Sequence, residues 1–268
     1  MRLPARPFAR QGGVVVLAHR GWRGYYPENT MLAFAKAAEM PIDGLEIDIH
    51  CTQDGVPVVF HDATLERTTN GNGRICDFTL AELKQLDAGH NFTKDEGQTF
   101  PFRGQGITIP TLAEVFEKFP DLWINVDIKQ QEPSMIRPFC NLIREYKMAD
   151  RMCVGSFHNG TVQAFRRACP EVARVGSMPE TARLFALSKI GLPQLYWGKA
   201  HVLQIPPRHD KGFDLFTPQL VRAAHQNNTA VHLWTINETT AIQRFIEMSV
   251  DGIISDYPDR VLKVLGRI

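Results

Sequence analysis

The sequence predicts an α/β fold, a (β/α)8 TIM barrel with a small insertion after the second strand. Short apolar segments typical of buried strands alternate with amphipathic helical segments, which indicates parallel strands joined by right-handed crossovers. Eight such strand–helix units can be counted, and a length of 268 residues is typical of one barrel. An open doubly wound sheet is the alternative.

The first strand and helix are predicted from apolar runs and capping residues. The segment Val14–Ala18 is apolar throughout and leads into His19, Arg20 and Gly21. Thr30 is a suitable N-cap for the helix that follows. The residues of this helix that we expect to face the core are Leu32, Phe34, Ala35 and Ala38.

The stretch from Gly44 to Asp62 begins as the second strand. Its apolar residues alternate with Glu46, Asp48 and His50, so the three polar side chains share one face. The pair Asp54-Gly55 then predicts a tight turn, after which 56–60 should run back as a hairpin above the barrel rim. We therefore expect His61 to return to the level of Asp48. An exposed amphipathic surface hairpin is the other interpretation.

The remainder of the chain completes the barrel. Residues 63–110 are predicted to be a small insertion within a single domain, 11–268, and residues 1–10 a loose tail. Capping boxes at Thr79 with Glu82 and at Thr111 with Glu114 open two helices. The six later strands, each followed by a helix, are predicted at 122–129, 153–157, 172–176, 201–205, 229–234 and 252–255.

Composition argues against several functional classes. The net charge of +1 gives no electrostatic attraction to nucleic acid or to a membrane surface. No segment approaches the ~20 apolar residues of a membrane span. The five cysteines are odd in number and lack zinc-type spacing, so we expect a reducing, cytoplasmic compartment. The sequence does not indicate an oligomeric state.

In a barrel, the active site lies at the C-terminal ends of the strands. A set of acidic, basic and aromatic residues falls at those positions. They are His19, Arg20, Glu46, Asp48, His50, His61, Asp127, Lys129, Ser156, His158, Trp234, Asn237 and Asp256. Their convergence on one rim predicts a catalytic site more strongly than any single member.

Three of these residues are hard oxygen ligands, Glu46, Asp48 and Asp127, which suit one Mg²⁺ or Ca²⁺ ion. The alternative is that they form salt bridges with Lys129 and Arg20. An arginine beside a hard metal suggests a phosphate substrate. Two histidines suit a reaction in which one group removes a proton and another protonates a leaving alcohol. Phosphodiester cleavage fits this set, and no Gly-rich loop points to nucleotide triphosphates.

Several short motifs carry a family resemblance between His19 and Pro258. They are His19-Arg-Gly, Pro27-Glu-Asn-Thr30, Glu46-Ile-Asp, Thr52-Gln-Asp-Gly55, Val58-Val-Phe-His-Asp62, Arg67-Thr-Thr, Pro110-Thr-Leu112 and Gly252-Ile-Ile-Ser-Asp-Tyr-Pro258. In this order they resemble the glycerophosphodiester phosphodiesterase family. The resemblance implies a barrel with a small insertion after the second strand.

The resemblance also implies roles. His19 and His61 would be the acid/base pair, and Arg20 would bind the phosphate. Glu46, Asp48 and the third-strand acid would bind the divalent cation. That motif is more often Glu-Ile-Lys in the family, whereas here it is Asp127-Ile-Lys129, and the shorter Asp127 could ligate through water.

The implied function is metal-dependent hydrolysis of small glycerophosphodiesters to sn-glycerol 3-phosphate and an alcohol. The glycerol 2-hydroxyl or water would attack phosphorus, with Lys129 and Trp234 as candidates for the substrate pocket and the headgroup held loosely outside the barrel mouth. The alternatives are a lysophospholipase D acting on lipid-tailed substrates and a barrel that only binds phosphodiesters.

Overall fold

The computed structural model describes residues 12–268, so the predicted tail at residues 1–10 lies outside the described residues. The described part contains nine strands. They are β1 (Val15–His19), β2 (Gly44–Cys51), β3 (Pro57–Val59), β4 (Trp123–Ile128), β5 (Met152–Gly155), β6 (Ala173–Arg174), β7 (Val202–Ile205), β8 (Ala230–Leu233) and β9 (Gly252–Ser255).

Eight of these strands form the barrel, and the predicted TIM-barrel class is confirmed. Their order is β6-β5-β4-β2-β1-β9-β8-β7, with every neighbouring pair parallel. A parallel bridge between Val175 and Val202 joins the two ends of this order. The C-terminal ends of all eight strands therefore surround one opening.

Helices follow the strands and cover the outside of the barrel. The α-helices in residues 12–268 are α1 (Met31–Ala38), α2 (Leu80–Leu83), α3 (Leu112–Lys118), α4 (Ile136–Glu145), α5 (Asn159–Ala168), α6 (Met178–Lys189), α7 (Pro218–Gln226), α8 (Thr239–Glu247) and α9 (Pro258–Val264). Short 3-10 helices lie at Ile75–Asp77, Ala149–Arg151 and Pro193–Leu195. No helix in the described range is long and apolar enough to cross a bilayer.

The capping predictions are confirmed for three helices. Thr30 accepts a hydrogen bond from the backbone N–H of Ala33 and starts α1. Complete capping boxes open α2 and α3, where Thr79 pairs with Glu82 and Thr111 pairs with Glu114. The side chains of α1 that are buried are Ala33, Phe34 and Ala37. The prediction is confirmed for Ala35 and Ala38, which are partly buried and pack against the core, and it was wrong for Leu32, which is only partly buried and is not part of that core.

The strand β3 forms the predicted antiparallel hairpin with β2, outside the path of the barrel. Its register pairs Ile49 with Val59, and the backbone N–H of Phe60 donates to the carbonyl of Asp48. The residue level with Asp48 is thus Phe60, and the prediction for His61 was wrong by one residue. The reason is the length of the loop. The backbone N–H of Thr52 donates to the carbonyl of Val56, so three residues, 53–55, separate the paired positions, and an odd loop shifts the pairing by one residue.

The main core lies between the outward faces of the strands and the helices, and includes Ile47, Ile49 and Val126. Phe139 of α4 and Phe165 of α5 stack within it, with ring centroids 5.4 Å apart. Residues 63–110 pack around a smaller, separate cluster that includes Leu65, Ile75 and Leu83 and that the hairpin residues Val58 and Phe60 complete. The insertion is thus held against the hairpin that carries His61.

Candidate active site

Neighbouring strands bring the acidic residues of the predicted site to one level. In the parallel ladders His19 is the register partner of Glu46, and Asp48 is the register partner of Asp127. Register partners in a sheet share a face, and the alternating Ile47 and Ile49 lie in the outer core. The carboxylates therefore point into the C-terminal mouth of the barrel.

Arg20 starts the loop after β1 with a left-handed backbone, at a φ of 53°. This conformation is uncommon outside glycine and concentrates at functional sites. It is fixed by hydrogen bonds in which the Arg20 N–H donates to the Glu46 carbonyl at 2.8 Å and the Asn29 N–H donates to the Arg20 carbonyl at 3.0 Å. The turn places the guanidinium beside Asp48, with Nε 3.0 Å from Oδ2, although this ion pair lacks hydrogen-bond geometry.

Asp48 is 1% exposed and lies at the centre of the charged groups. Lys129 Nζ is 3.0 Å from its Oδ1, and Asn29 Nδ2 donates to its Oδ2 at 2.9 Å. Burial opposes ionisation, but the charges of Arg20 and Lys129 outweigh it and lower the pKa of Asp48. Asp48 is therefore a carboxylate in the folded protein.

The negative charges of Glu46 and Asp127 are less well balanced by nearby cationic side chains. Burial, and then the charge of Asp48, raises the pKa of Glu46 well above its usual value. Burial also raises the pKa of Asp127, although Lys129 Nζ lies 2.7 Å from its Oδ2. The second oxygen of Asp127, Oδ1, is buried and has no hydrogen-bond partner among the described residues. A buried oxygen without a partner is costly, so these two carboxylates favour an additional cation.

Each histidine that was predicted to be catalytic is held by a carboxylate. Nδ1 of His19 lies 2.6 Å from Asp256 Oδ1, and Nδ1 of His61 lies 2.5 Å from Asp62 Oδ1. Because a carboxylate accepts, each Nδ1 is the donor, which leaves Nε2 of each ring available for proton transfer. Nε2 of His19 lies 3.8 Å from Glu46 Oε2. Burial lowers the pKa of both histidines, more than their carboxylates raise it.

A chain of ion pairs connects Arg20 with His61. Arg20 Nη1 donates to Glu28 Oε1 at 2.8 Å, and Arg67 donates to both oxygens of Glu28 at 2.9 and 2.7 Å. Arg67 also donates to Asp62, the carboxylate that holds His61. Burial alone would raise the pKa of Glu28, but Arg67, Arg20 and Arg23 lower it far below its usual range. The chain fixes the phosphate-binding candidate relative to the acid/base candidate.

Trp234 and Lys129 meet at Phe157 on the other side of the mouth. The rings of Trp234 and Phe157 are edge to face with centroids 5.8 Å apart, and Lys129 Nζ lies 5.3 Å from the centre of the Phe157 ring. Phe157 is 55% exposed, while Trp234 is half-buried against Leu17 and Ile254. These rings offer an apolar surface beside the charged groups.

Four polar residues predicted at the rim have structural contacts instead. His50 Nε2 lies 3.1 Å from the carbonyl oxygen of His61, and Ser156 Oγ donates to the Ile128 carbonyl at 2.6 Å. The backbone N–H of His158 donates to Ser156 Oγ at 3.2 Å. Asn237 Nδ2 donates to Asp256 Oδ2 at 2.9 Å, so it acts on the partner of His19.

Comparison with known proteins identifies the family. The model of the glycerophosphoryl diester phosphodiesterase family matches residues 19–260, from the first histidine to the last helix. The chain belongs to the glycerophosphoryl diester phosphodiesterase family. It is therefore an enzyme, a phosphoric diester hydrolase. The family resemblance and the enzyme class inferred from the motifs are confirmed.

Individual members of the family resemble the chain over nearly its whole length. A glycerophosphodiester phosphodiesterase of Bacillus altitudinis is 34% identical over 255 residues, which cover 93% of this chain and 97% of the relative. One from Caldanaerobacter subterraneus is 34% identical, with 94% and 98% covered. A phosphodiesterase of Oleispira antarctica, solved in complex with its product sn-glycerol 3-phosphate, is 29% identical with a TM-score of 0.77. It is covered to 99%, against 96% of this chain.

Members of the glycerophosphoryl diester phosphodiesterase family generally depend on a divalent cation, and the rim carboxylates fit one. Glu46, Asp48 and Asp127 supply hard oxygen donors, and Asp127 Oδ1 is a buried donor atom without a partner. Within residues 12–268 no three acidic, histidine or cysteine side chains are already gathered around one metal position. Instead Asp48 and Asp127 form ion pairs with Arg20 and Lys129, as the alternative interpretation expected.

Sequence reasoning missed the residues that orient the histidines and Arg20. These are Glu28, Asn29, Asp62 and Arg67, together with Asp256, which was predicted at the rim but was given no role. All five lie in motifs that carry the family resemblance, so a signal was present. Asp62 is adjacent to His61 in the sequence, but the roles of the others could not be assigned because each contacts a residue that belongs to a different segment of the chain.

Proposed function

We propose that this chain hydrolyses small glycerophosphodiesters to sn-glycerol 3-phosphate and an alcohol, with His19 and His61 as the acid/base pair. The observation that carries the proposal is the pair of carboxylate-held histidines beside one arginine and three carboxylates, of which two are buried and one, Asp127, is partly buried. The product bound in the Oleispira antarctica relative supports the choice of substrate.

The phosphate would bind between Arg20 and Lys129. Both cations already face Asp48 in the mouth of the barrel, at 3.0 Å each. Their side chains are only 11% and 19% exposed, so water screens their attraction for a phosphate only weakly. Charge-assisted contacts to two fixed cations would orient the phosphorus and stabilise the negative charge of the transition state.

In the first step, one histidine accepts the proton of the glycerol 2-hydroxyl as that oxygen bonds to phosphorus. The bond to the leaving alcohol breaks, and the other histidine protonates its oxygen, which leaves a cyclic glycerol phosphate. In the second step water attacks phosphorus, the bond to the 2-oxygen breaks, and the two histidines return the protons. The lowered pKa of the accepting histidine favours its neutral form, in which Nε2 is free to take the proton. The donating histidine starts the step protonated on Nε2, a form that the carboxylate at its Nδ1 stabilises.

Glu46, Asp48 and Asp127 would hold one divalent cation, Mg²⁺ or Ca²⁺, with Asp127 bound directly or through water. When bound, such an ion supplies Lewis-acid stabilisation of charge on phosphate oxygens. Asp48 and Asp127 would then bind the cation and give up part of their ion pairing with Lys129, whose ammonium group would become available to the phosphate. Asn29 keeps Asp48 oriented in either case, because its amide donates to Oδ2.

The glycerol carbons would pack against Trp234 and Phe157. Their edge-to-face rings form an apolar wall next to Lys129, whose Nζ lies over the Phe157 ring. A site that combines an apolar wall with a few convergent charges is typical of small-molecule recognition.

We also infer a reducing, cytoplasmic setting for the protein, because the cysteines within the described residues are free thiols. Fractionation of cells that express the tagged chain would test this location.

Turnover of glycerophosphocholine by the purified protein, with Mg²⁺ or Ca²⁺ present, tests the proposal. We expect sn-glycerol 3-phosphate and choline in equal amounts. A protein that binds the diester without releasing either product would contradict it. The analogue that lacks the 2-hydroxyl separates the two nucleophiles, because an intramolecular hydroxyl has a large proximity advantage over water. Equal turnover of the analogue would rule out the 2-hydroxyl and leave water.

A further inference from the structure

A cavity of about 270 Å³ opens beside the proposed active site. Three segments line it: the start of the insertion with Arg74 and Cys76, the loop after β4 with Gln131 and Glu132, and His158 after β5. Its volume is slightly smaller than that of most ligand sites, so it fits a small group and not an acyl chain. The proposed mechanism does not use these residues.

The cavity is continuous with the reacting centre. Lys129 lines it and also contacts Asp48 and Asp127, with Nζ 3.0 and 2.7 Å from their oxygens. His50 lines it and reaches the carbonyl of His61 at 3.1 Å. A phosphodiester has two ester arms. If its phosphate lies at Lys129 and its glycerol arm lies against Trp234, the other arm, which carries the headgroup alcohol, can reach this cavity.

Two opposite charges stand on different walls of the cavity. Arg74 belongs to the insertion and Glu132 to the loop after β4. Within residues 12–268 neither side chain forms an ion pair, although both are exposed at the cavity. Lys129, by contrast, is neutralised by its two carboxylates. A ligand in this cavity therefore meets one available positive and one available negative charge.

The lining contains no Phe, Tyr or Trp side chain. Quaternary ammonium groups such as choline are bound chiefly by aromatic faces, which attract a cation without requiring a hydrogen bond. Arginine instead prefers a carboxylate, to which it can donate two parallel hydrogen bonds. The cavity thus favours an alcohol with a carboxylate over one with a quaternary ammonium group.

We propose that this cavity is the headgroup subsite and that it selects a small amino-acid alcohol, of which serine is the simplest, through Arg74 and Glu132. The proposal rests on the proposed glycerophosphodiester hydrolysis and names its substrate class. The carboxylate of the headgroup would pair with Arg74 and its ammonium group with Glu132. The headgroup is then held in a defined position and not only loosely outside the barrel mouth.

The test compares kcat/KM for glycerophosphoserine and glycerophosphocholine in the purified full chain. We expect the wild-type protein to prefer the serine diester, and Arg74→Gln to lower that preference about tenfold. Arg74→Glu should reverse it, so that the choline diester becomes the better substrate. Arg137→Gln, at an exposed arginine of α4, is the matched control and should leave the ratio at the wild-type value.

A serine-to-choline ratio that stays the same in Arg74→Glu, or a wild-type preference for choline, would overturn the proposal. A loss of the same size for both diesters would also overturn it, because it would indicate a general effect on the fold. If the proposed function itself fails, neither diester is turned over. Calorimetric affinities of the two diesters for the wild-type and Arg74→Glu proteins then still decide between a selective and an unselective cavity.

Discussion

Nδ1 of His19 and Oδ1 of Asp256 lie 2.6 Å apart across the seam where the first barrel strand pairs with the last. Asp256 is itself held, because Asn237 Nδ2 donates to Oδ2 at 2.9 Å and Arg23 Nη1 lies 3.3 Å from Oδ1. These contacts lower the pKa of Asp256, against the effect of burial, so that it stays a carboxylate. The ring of His19 is thereby fixed in one tautomer and one orientation.

Asp256→Asn should therefore reduce kcat by about 10- to 100-fold, while KM changes little. An amide cannot enforce the same tautomer, but it fills the same space and leaves the phosphate-binding groups in place. Steady-state kinetics with glycerophosphocholine measure the effects on kcat and on KM separately. Asp121→Asn, at a carboxylate whose side chain is 92% exposed, is the matched control. A kcat for Asp256→Asn equal to that of this control would remove Asp256 from its positioning role.

The cation site makes a second prediction. Chelation should abolish activity, and Mg²⁺ or Ca²⁺ should restore it, because the carboxylates of Glu46, Asp48 and Asp127 face only two nearby cationic side chains. Glu46→Gln and Asp48→Asn should weaken cation binding measured directly by titration calorimetry. The same control, Asp121→Asn, should bind the ion as the wild type does. Full activity in thoroughly demetallated protein would show that these carboxylates serve only as ion-pair partners.

A pair of glycine substitutions tests the turn that carries Arg20. Gly21 has a φ of 83°, and a Cβ added there would lie 2.8 Å from the backbone and side chain of Ala33. We expect Gly21→Ala to lower the free energy of unfolding by about 1–3 kcal/mol, since both the conformation and the space exclude a side chain. Gly160→Ala in α5 meets nothing within 4 Å and should raise it by about 0.5–1 kcal/mol. Chemical denaturation of both variants measures the contrast, and a Gly21→Ala protein as stable as the wild type would contradict it.

The stability of the fold should also fall in acid through Glu180. Its carboxylate accepts hydrogen bonds from Arg166 at 3.0 and 2.7 Å and from the backbone N–H of Lys199 at 2.9 Å. Burial opposes ionisation, but these contacts outweigh it and lower the pKa to about 2. A pKa below the usual value means that the stabilisation is complete above about pH 4.5 and is lost as pH falls toward 2.

At pH 7 this contribution is about 3 kcal/mol. The free energy of unfolding, measured by denaturant titration between pH 7 and pH 3, should thus decline less steeply in Glu180→Gln than in the wild type. Glu145→Gln, an exposed carboxylate in α4, should keep the wild-type decline. Parallel declines in all three proteins would show that Glu180 does not contribute to acid sensitivity.

The barrel could be predicted because its signals are local. Each strand is a short apolar run, and residues such as Thr30, Thr79 and Thr111 mark helix starts by hydrogen bonds within one turn. The level of His61 could not be predicted, because an odd loop between Thr52 and Val56 shifts the pairing by one residue. In α1 only Leu32 was wrongly predicted to face the core, because it is apolar, whereas packing buries Ala33 and Ala37.

The site residues that lie on strands could be predicted from the sequence, but the contacts between site residues on loops could not. Glu46, Asp48 and Asp127 follow from alternation on two strands that turn out to be neighbours. The series of ion pairs from Arg20 through Glu28 and Arg67 to Asp62 joins two separate segments, 20–28 and 62–67, so no spacing in the sequence reveals it. Such contacts depend on how the closed barrel and the insertion bring distant segments together, and the spacing of residues along the chain does not reveal this arrangement.

The most direct measurement is the turnover of glycerophosphocholine by His19→Ala and His61→Ala, each shown to be folded by circular dichroism. General acid–base catalysis by a positioned side chain is worth about 10²- to 10⁴-fold. Both histidines are held by carboxylates at the mouth of the barrel, so each variant should lose at least ~10²-fold in kcat. Near-normal turnover in either well-folded variant would contradict the assignment of the two histidines as the acid/base pair.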